Sequence, residues 1–143
     1  MDLIISTHYK DKCNIGIYCL ERGFKKATLK ALDNEEASQQ CTWGKNLPFL
    51  CVDHHFEEAV LKALDSPVLS STHNFMKQNL GMYAANEKLE KATLKALDNH
   101  EASIQQDFEG HNIGMISAMS KLEKATIKAL DNEIASTQQA HDG

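Results

Sequence analysis

The residues with the most chemistry to offer stand close together: Cys51, His54 and His55. A thiol beside an imidazole is the raw material of a nucleophile, and with further donors it begins a metal site. Consecutive histidines on a helix point about 100° apart, however, and no third ligand follows at useful spacing. The expectation is a core-facing Cys51 with one histidine in solvent. Cys13, Cys19, Cys41 and Cys51 include no Cys-x-x-Cys pair, which favours reduced, mostly buried thiols over a disulfide framework or a zinc site. No Gly-rich phosphate loop, nucleophile elbow or Walker-like sequence occurs. The sequence therefore predicts no catalytic residue, no metal and no cofactor, and the chain is not expected to be an enzyme.

Composition narrows the alternatives. A chain of 143 residues with 42% apolar residues has room for one folded domain. The net charge of −5, with Lys and Arg scattered singly or in pairs, leaves no basic stripe to neutralise phosphates, so nucleic acid is not the expected partner. The opening Met1-Asp2-Leu-Ile-Ile-Ser6 lacks a basic region followed by a long apolar run, and no stretch approaches the roughly 20 apolar residues that span a bilayer. No membrane insertion is expected, and the reduced thiols point to the cytoplasm.

What positions these residues is a repeat. Phe24-Lys-Lys-Ala-Thr-Leu-Lys-Ala-Leu-Asp33 recurs as Phe56-Glu-Glu-Ala-Val-Leu-Lys-Ala-Leu-Asp65, Leu89-Glu-Lys-Ala-Thr-Leu-Lys-Ala-Leu-Asp98 and Leu122-Glu-Lys-Ala-Thr-Ile-Lys-Ala-Leu-Asp131. The matching alanines, Ala27, Ala59, Ala92 and Ala125, are 32, 33 and 33 residues apart, as are Asn14, Asn46, Asn79 and Asn112. A period near 33 over four copies implies stacked units, each leaving an apolar face that its neighbour covers. An Asn just before an apolar stretch is suited to cap a helix, which predicts first helices over 15–22, 47–54, 80–87 and 113–120. Second helices are expected over 24–33, 56–65, 89–98 and 122–131. In the last copy Leu122, Ala125, Thr126, Ala129 and Leu130 fall on one face, the expected buried one. Lys25-Lys26, Glu57-Glu58 and Glu123-Lys124 open second helices and suit a solvated outer face. The dozen residues between one pair and the next read as loops or hairpins, with Cys41-Thr-Trp-Gly44 and Asp107-Phe-Glu-Gly110 as reversing turns. Pro48 suits a first helical turn, while Pro67 replaces the helix-ending stretch of the other copies.

A unit of about 33 residues with a turn, two short antiparallel helices and a long return loop resembles the ankyrin repeat. Asp107-x-x-Gly110-x-Asn112 resembles that family's Asp-x-x-Gly-x-Thr opening, with Asn where Thr usually caps. Gly81-Met-Tyr-Ala-Ala85 and Gly114-Met-Ile-Ser-Ala118 sit where the family carries Leu-His-x-Ala-Ala. Asn99-His-Glu-Ala102-Ser and Asn132-Glu-Ile-Ala135-Ser take the place of its Gly-Ala-Asp-Val-Asn exit. The family's Thr-Pro-Leu-His tetrapeptide is absent, which implies repeats less stable than consensus ones. The resemblance implies an all-α, ankyrin-type solenoid of four helix-turn-helix repeats, approximately 9–40, 41–73, 74–106 and 107–139, with 140–143 opening a further repeat. Gly143 holds the register of Gly110, as expected of a piece of a longer protein. A tetratricopeptide-like array would want a period of 34 and longer helices. Repeats alike within a chain yet far from consensus are similar to ankyrin arrays in effectors of intracellular bacteria, which would imply delivery into a host cytosol.

Such an array implies a protein–protein interaction scaffold, its surface formed by first helices and loop tips. The alternative is the non-catalytic repeat region of a larger enzyme or secreted effector. Just ahead of the caps stand Tyr9, Trp43, Phe75 with Met76, and Phe108; the variable places on first helices include Tyr18, Arg22, Asp53, His54, Tyr83 and Met119. Aromatic side chains at successive loop tips can carry binding energy, or can pack against the neighbouring loop.

Overall fold

A computed structural model describes residues 13–40 and 44–141, and among them every regular element is a helix. The first copy of the sequence motif forms α1 (Ile15–Glu21), α2 (Lys25–Ala31) and α3 (Glu35–Ser38). The second forms α4 (Leu47–Asp53), α5 (Glu57–Leu64) and α6 (Pro67–Ser70). The third forms α7 (Leu80–Asn86), α8 (Glu90–Ala96) and α9 (His100–Ile104), and the fourth α10 (Ile113–Met119), α11 (Glu123–Leu130) and α12 (Glu133–Thr137). No helix among the described residues is long and apolar enough to cross a membrane.

Each first helix packs on the second helix of its own copy, and helices of one kind also pack on their counterparts next along the chain. Contacts run α1 to α4 to α7 to α10, and in parallel α2 to α5 to α8 to α11. The core lies between these two series. Leu47, Phe49, Val52, Ala59, Val60 and Leu80 are buried in one cluster, and Met82, Ala85, Ile113, Ile116 and Ala125 in a second. Alanine at Ala59, Ala92 and Ala125, each 0% exposed, lets neighbouring helices approach closely.

The predicted first and second helices are present, with ends trimmed by a residue or two. The turn between them explains the trimming. Gly23, His55, Lys88 and Lys121 all take a left-handed backbone, with φ of 75°, 55°, 64° and 64°. On either side, Gly23 N–H donates to the Leu20 carbonyl and Phe24 N–H reaches back to that of Cys19. This pairing is repeated in each copy, satisfying the last carbonyls of the first helix before the chain reverses. Only the first copy places glycine at this left-handed position, the residue that adopts it without strain.

The connectors are a correction to the sequence reading. Expected to be loops from end to end, they begin with a third short helix, capped by Asn34, Ser66, Asn99 and Asn132. These side chains accept N–H bonds from Ala37, Leu69, Ala102 and Ala135 at 2.9–3.1 Å. Helices of four or five residues are too short to display a hydrophobic period, so only their caps mark them. Pro67 accordingly starts α6 and does not replace a helical stretch.

The first-helix caps hold as predicted and do more. Asn14, Asn46, Asn79 and Asn112 accept the N–H of Ile17, Phe49, Met82 and Met115. The amide groups of Asn14, Asn79 and Asn112 then reach across to the third helix of the same copy, while that of Asn46 donates to the Thr72 hydroxyl just past α6. Asn112 Nδ2 donates to the Ala135 carbonyl at 3.0 Å and to Gln138 Oε1 at 2.9 Å, and Asn79 makes the equivalent bonds to Ala102 and Gln105. A hydroxyl at this position has one proton to give, whereas the amide has two in addition to its accepting oxygen. The amide thus adds to the cap a lock between first and third helices.

One predicted face is incomplete. Leu122, Ala125 and Ala129 are buried, but Leu130 is 63% exposed. Its counterpart Leu32 is covered by the following helices, and no described helix follows α12.

Candidate functional site

The loops ahead of α7 and α10 are built by short polar side chains. Asn74 Oδ1 accepts the N–H groups of Met76 and Gln78, both at 3.0 Å, and Asp107 Oδ1 accepts those of Glu109 and His111, both at 2.9 Å. The backbone closes each hairpin, Asn74 N–H to Gln78 O and Asp107 N–H to His111 O. Successive loops are also tied to one another. Phe108 N–H donates to the Met76 carbonyl at 3.3 Å, and His141 N–H to the Glu109 carbonyl at 2.9 Å. The tips therefore form a joined edge and hold their side chains in a fixed order.

At these tips Phe75 is 68% and Phe108 62% exposed, while Met76 is half-buried. The Phe75 ring lies over Gly44 of the preceding loop, so the packing role is partly realised. Most of both rings nevertheless faces solvent. Tyr9 and Trp43 lie outside the described residues. Asp107, Glu109 and His111 bring ligand atoms within 4.8 Å of one another, and the two bonds received by the buried Asp107 carboxylate account for this gathering as a turn.

On the first-helix side the predicted positions divide. Tyr18, Arg22, His54 and Met119 are exposed. Asp53 and Tyr83, by contrast, are engaged with Lys45, which the sequence reading did not single out. Lys45 Nζ lies 2.7 Å from Asp53 Oδ2 and 2.8 Å from the Tyr83 hydroxyl, which itself donates to the other Asp53 oxygen. The ammonium also sits 5.2 Å from the Tyr83 ring centre, and Phe49 packs against that ring at 5.5 Å.

Electrostatics hold Lys45 charged and Tyr83 neutral. Burial pulls the Lys45 ammonium down, but its bonds to Asp53 and Tyr83 outweigh that and leave its pKa raised. Burial, and then the bond to Asp53, push the Tyr83 hydroxyl above the usual phenol value. A charged lysine beside a neutral tyrosine is a fastening between the second and third copies, not a primed acid or base. Residues eight and 38 apart in sequence carry no local signal of such a contact.

The Cys51 and His54 pairing offers no nucleophile. Cys51 is fully buried, and burial pushes its thiol up to about 12, far from the thiolate that reacts. His54 and His55 are both exposed, where one had been expected in solvent. His55 turns outward because it occupies the left-handed turn position. Cys41 lies outside the described residues.

Away from the loops, the second helices carry a series of ion pairs that the sequence reading treated only as a solvated face. Lys62 reaches Asp33 at 2.8 Å, Lys95 reaches Asp65 at 2.6 Å and Lys128 reaches Asp98 at 2.5 Å. Each joins one copy to the next. Lys62 and Lys128 also donate to the carbonyls of Leu29 and Leu94.

No protein-family model, no curated protein and no solved structure matches this chain.

Proposed function

We propose that the chain is an ankyrin-type solenoid of four repeats that serves as a scaffold for another protein, gripping it through the loop tips and the exposed part of the first helices. The observation that carries this reading is the pair Phe75 and Phe108, 33 residues apart on adjoining loops and both largely in solvent. Ordered loops that hold out large apolar rings present contact area whose desolvation favours association, at little further cost in chain ordering. Tyr18, Arg22, His54 and Met119 extend the surface. Asp53 and Tyr83 act as its framework, since Lys45 already occupies them.

The test is capture from lysate by the parent chain and by a Phe75→Ser, Phe108→Ser variant. The retained protein is then identified, purified and titrated against both. An anchor ring at an interface centre contributes about 2 kcal/mol or more, so the variant is expected to bind at least tenfold more weakly with an unchanged circular dichroism spectrum. Equal affinity for parent and variant would overturn the loop-tip reading.

A further inference from the structure

Among the described residues, the first and last copies carry complementary surfaces that no described helix covers. Where one copy meets the next, a large apolar side chain at the start of the following first helix is seated against the preceding copy. Leu47, Leu80 and Ile113 are 1%, 0% and 0% exposed in this role, whereas their counterpart Ile15 is 78% exposed. Phe56, Leu89 and Leu122 are likewise 7–9% exposed and Phe24 59%. The opposite end shows the matching seat. A side chain at Gly81 would meet Ile113 Cδ1 at 2.7 Å, so glycine there makes room for the neighbouring side chain. Gly114 occupies the same register, and the groove it lines with Met115, Ala118, Ala129 and Leu130 is open.

Charge follows the same pattern. Each following lysine pairs with a preceding aspartate, as Lys62 with Asp33, Lys95 with Asp65 and Lys128 with Asp98. Among the described residues this leaves Lys30 at one end and Asp131 at the other without a salt-bridge partner.

We propose that copies of this chain associate head to tail, with the Ile15, Phe24 and Lys30 face of one seated on the Gly114, Leu130 and Asp131 face of the next. The junction reproduces those inside the molecule: Ile15 enters the groove above Gly114, and Lys30 meets Asp131 of the other copy. A contact between two different faces leaves one face of each kind free for a further copy, so association grows with concentration. This inference uses the junctions within the chain and is independent of what the loop tips bind.

Sedimentation velocity across a concentration series tests it. The parent is expected to rise above the 16.0 kDa of a single chain. Ile15→Glu and Leu130→Glu alter exposed side chains, so each folds by circular dichroism, and each alone remains a monomer. Mixed in equal amounts they pair, because one retains the seat and the other retains the knob, and the series stops at two. Lys30→Asp weakens association severalfold, and adding Asp131→Lys in the same chain restores it. A parent that stays monomeric at every concentration, or folded single variants that fail to pair when mixed, would overturn the proposal.

Discussion

The two long faces of this molecule use polar groups differently. The second-helix face repeats one device from copy to copy, a lysine reaching back to an aspartate, with side chains largely in solvent. The first-helix and loop face has one device that appears once among the described residues, the Lys45, Asp53 and Tyr83 cluster, next to loop tips where Phe75 and Phe108 are exposed. Uniformity suits a face whose task is to join copies, because every junction poses the same problem. Variation suits a face that meets something other than itself. Between the faces run the Asn locks, buried at Asn46, Asn79 and Asn112, and their loss should be felt most.

Replacing Asn112 by Ala removes the helix cap, worth about 1 kcal/mol, and also removes the amide that donates to the Ala135 carbonyl and to Gln138 Oε1. Together these should cost about 2–3 kcal/mol, read as a lower midpoint in urea. Asn112→Thr separates the two parts, since a hydroxyl can still cap but cannot supply both amide bonds. It is expected to recover about 1 kcal/mol of the loss. A Thr variant as stable as the parent would mean that the bonds to the third helix contribute nothing. A buried polar atom offers a contrast within the same copy. Ser117 Oγ has no hydrogen-bond partner, so the apparatus of that copy is not fully satisfied even where the lock is complete.

The single cluster on the first-helix face should matter less. Tyr83→Phe deletes the hydroxyl that joins Lys45 and Asp53 while leaving their ion pair and the packing on Phe49, at an expected cost of about 1 kcal/mol. Its pH dependence is more diagnostic. The folded Tyr83 pKa is raised, so above the ordinary phenol value of about 10 the unfolded chain ionises first and stability falls. Lys45 is raised as well, so its contribution is present below the ordinary lysine value and is lost as pH rises through the folded one. Both changes act in the same direction, and the parent should lose stability on the alkaline side faster than the Phe variant. Urea midpoints for the two proteins that fall in parallel there would show that the cluster does not hold this junction.

How far each face was legible in the sequence follows from the range of its interactions. Asn79 and Asn112 announced their helices because a cap acts three residues away, and Leu122, Ala125 and Ala129 announced a buried stripe because a helix repeats within four. The third helices escaped because a single turn such as Glu35–Ser38 has no period to display. The left-handed turns at His55, Lys88 and Lys121 escaped because only Gly23 uses the residue that signals them. Lys45 was invisible as a partner of Tyr83 across 38 residues, and Leu130 looked buried because a helical stripe does not reveal whether a neighbour covers it.

The ion pairs on the second-helix face should contribute least singly, and that is the sharpest contrast with the buried locks. Lys95 and Asp65 are partly exposed, and such a pair is typically worth about 0.5 kcal/mol or less. Lys95→Gln should therefore lower the midpoint only slightly, with even that difference erased near 1 M salt, where screening acts over about 3 Å. Acid should reveal the equivalent pair at the first junction, Lys62 with Asp33, from its aspartate. The bond and charge of Lys62 hold the Asp33 carboxyl below its usual value, so its contribution is present above the ordinary carboxylate range and fades as pH falls through the lowered folded value. If Lys95→Gln proved as costly as Asn112→Ala, and equally so in high salt, the pairs would be fixing the junctions themselves. The division between a solvated joining face and buried locks would then fail.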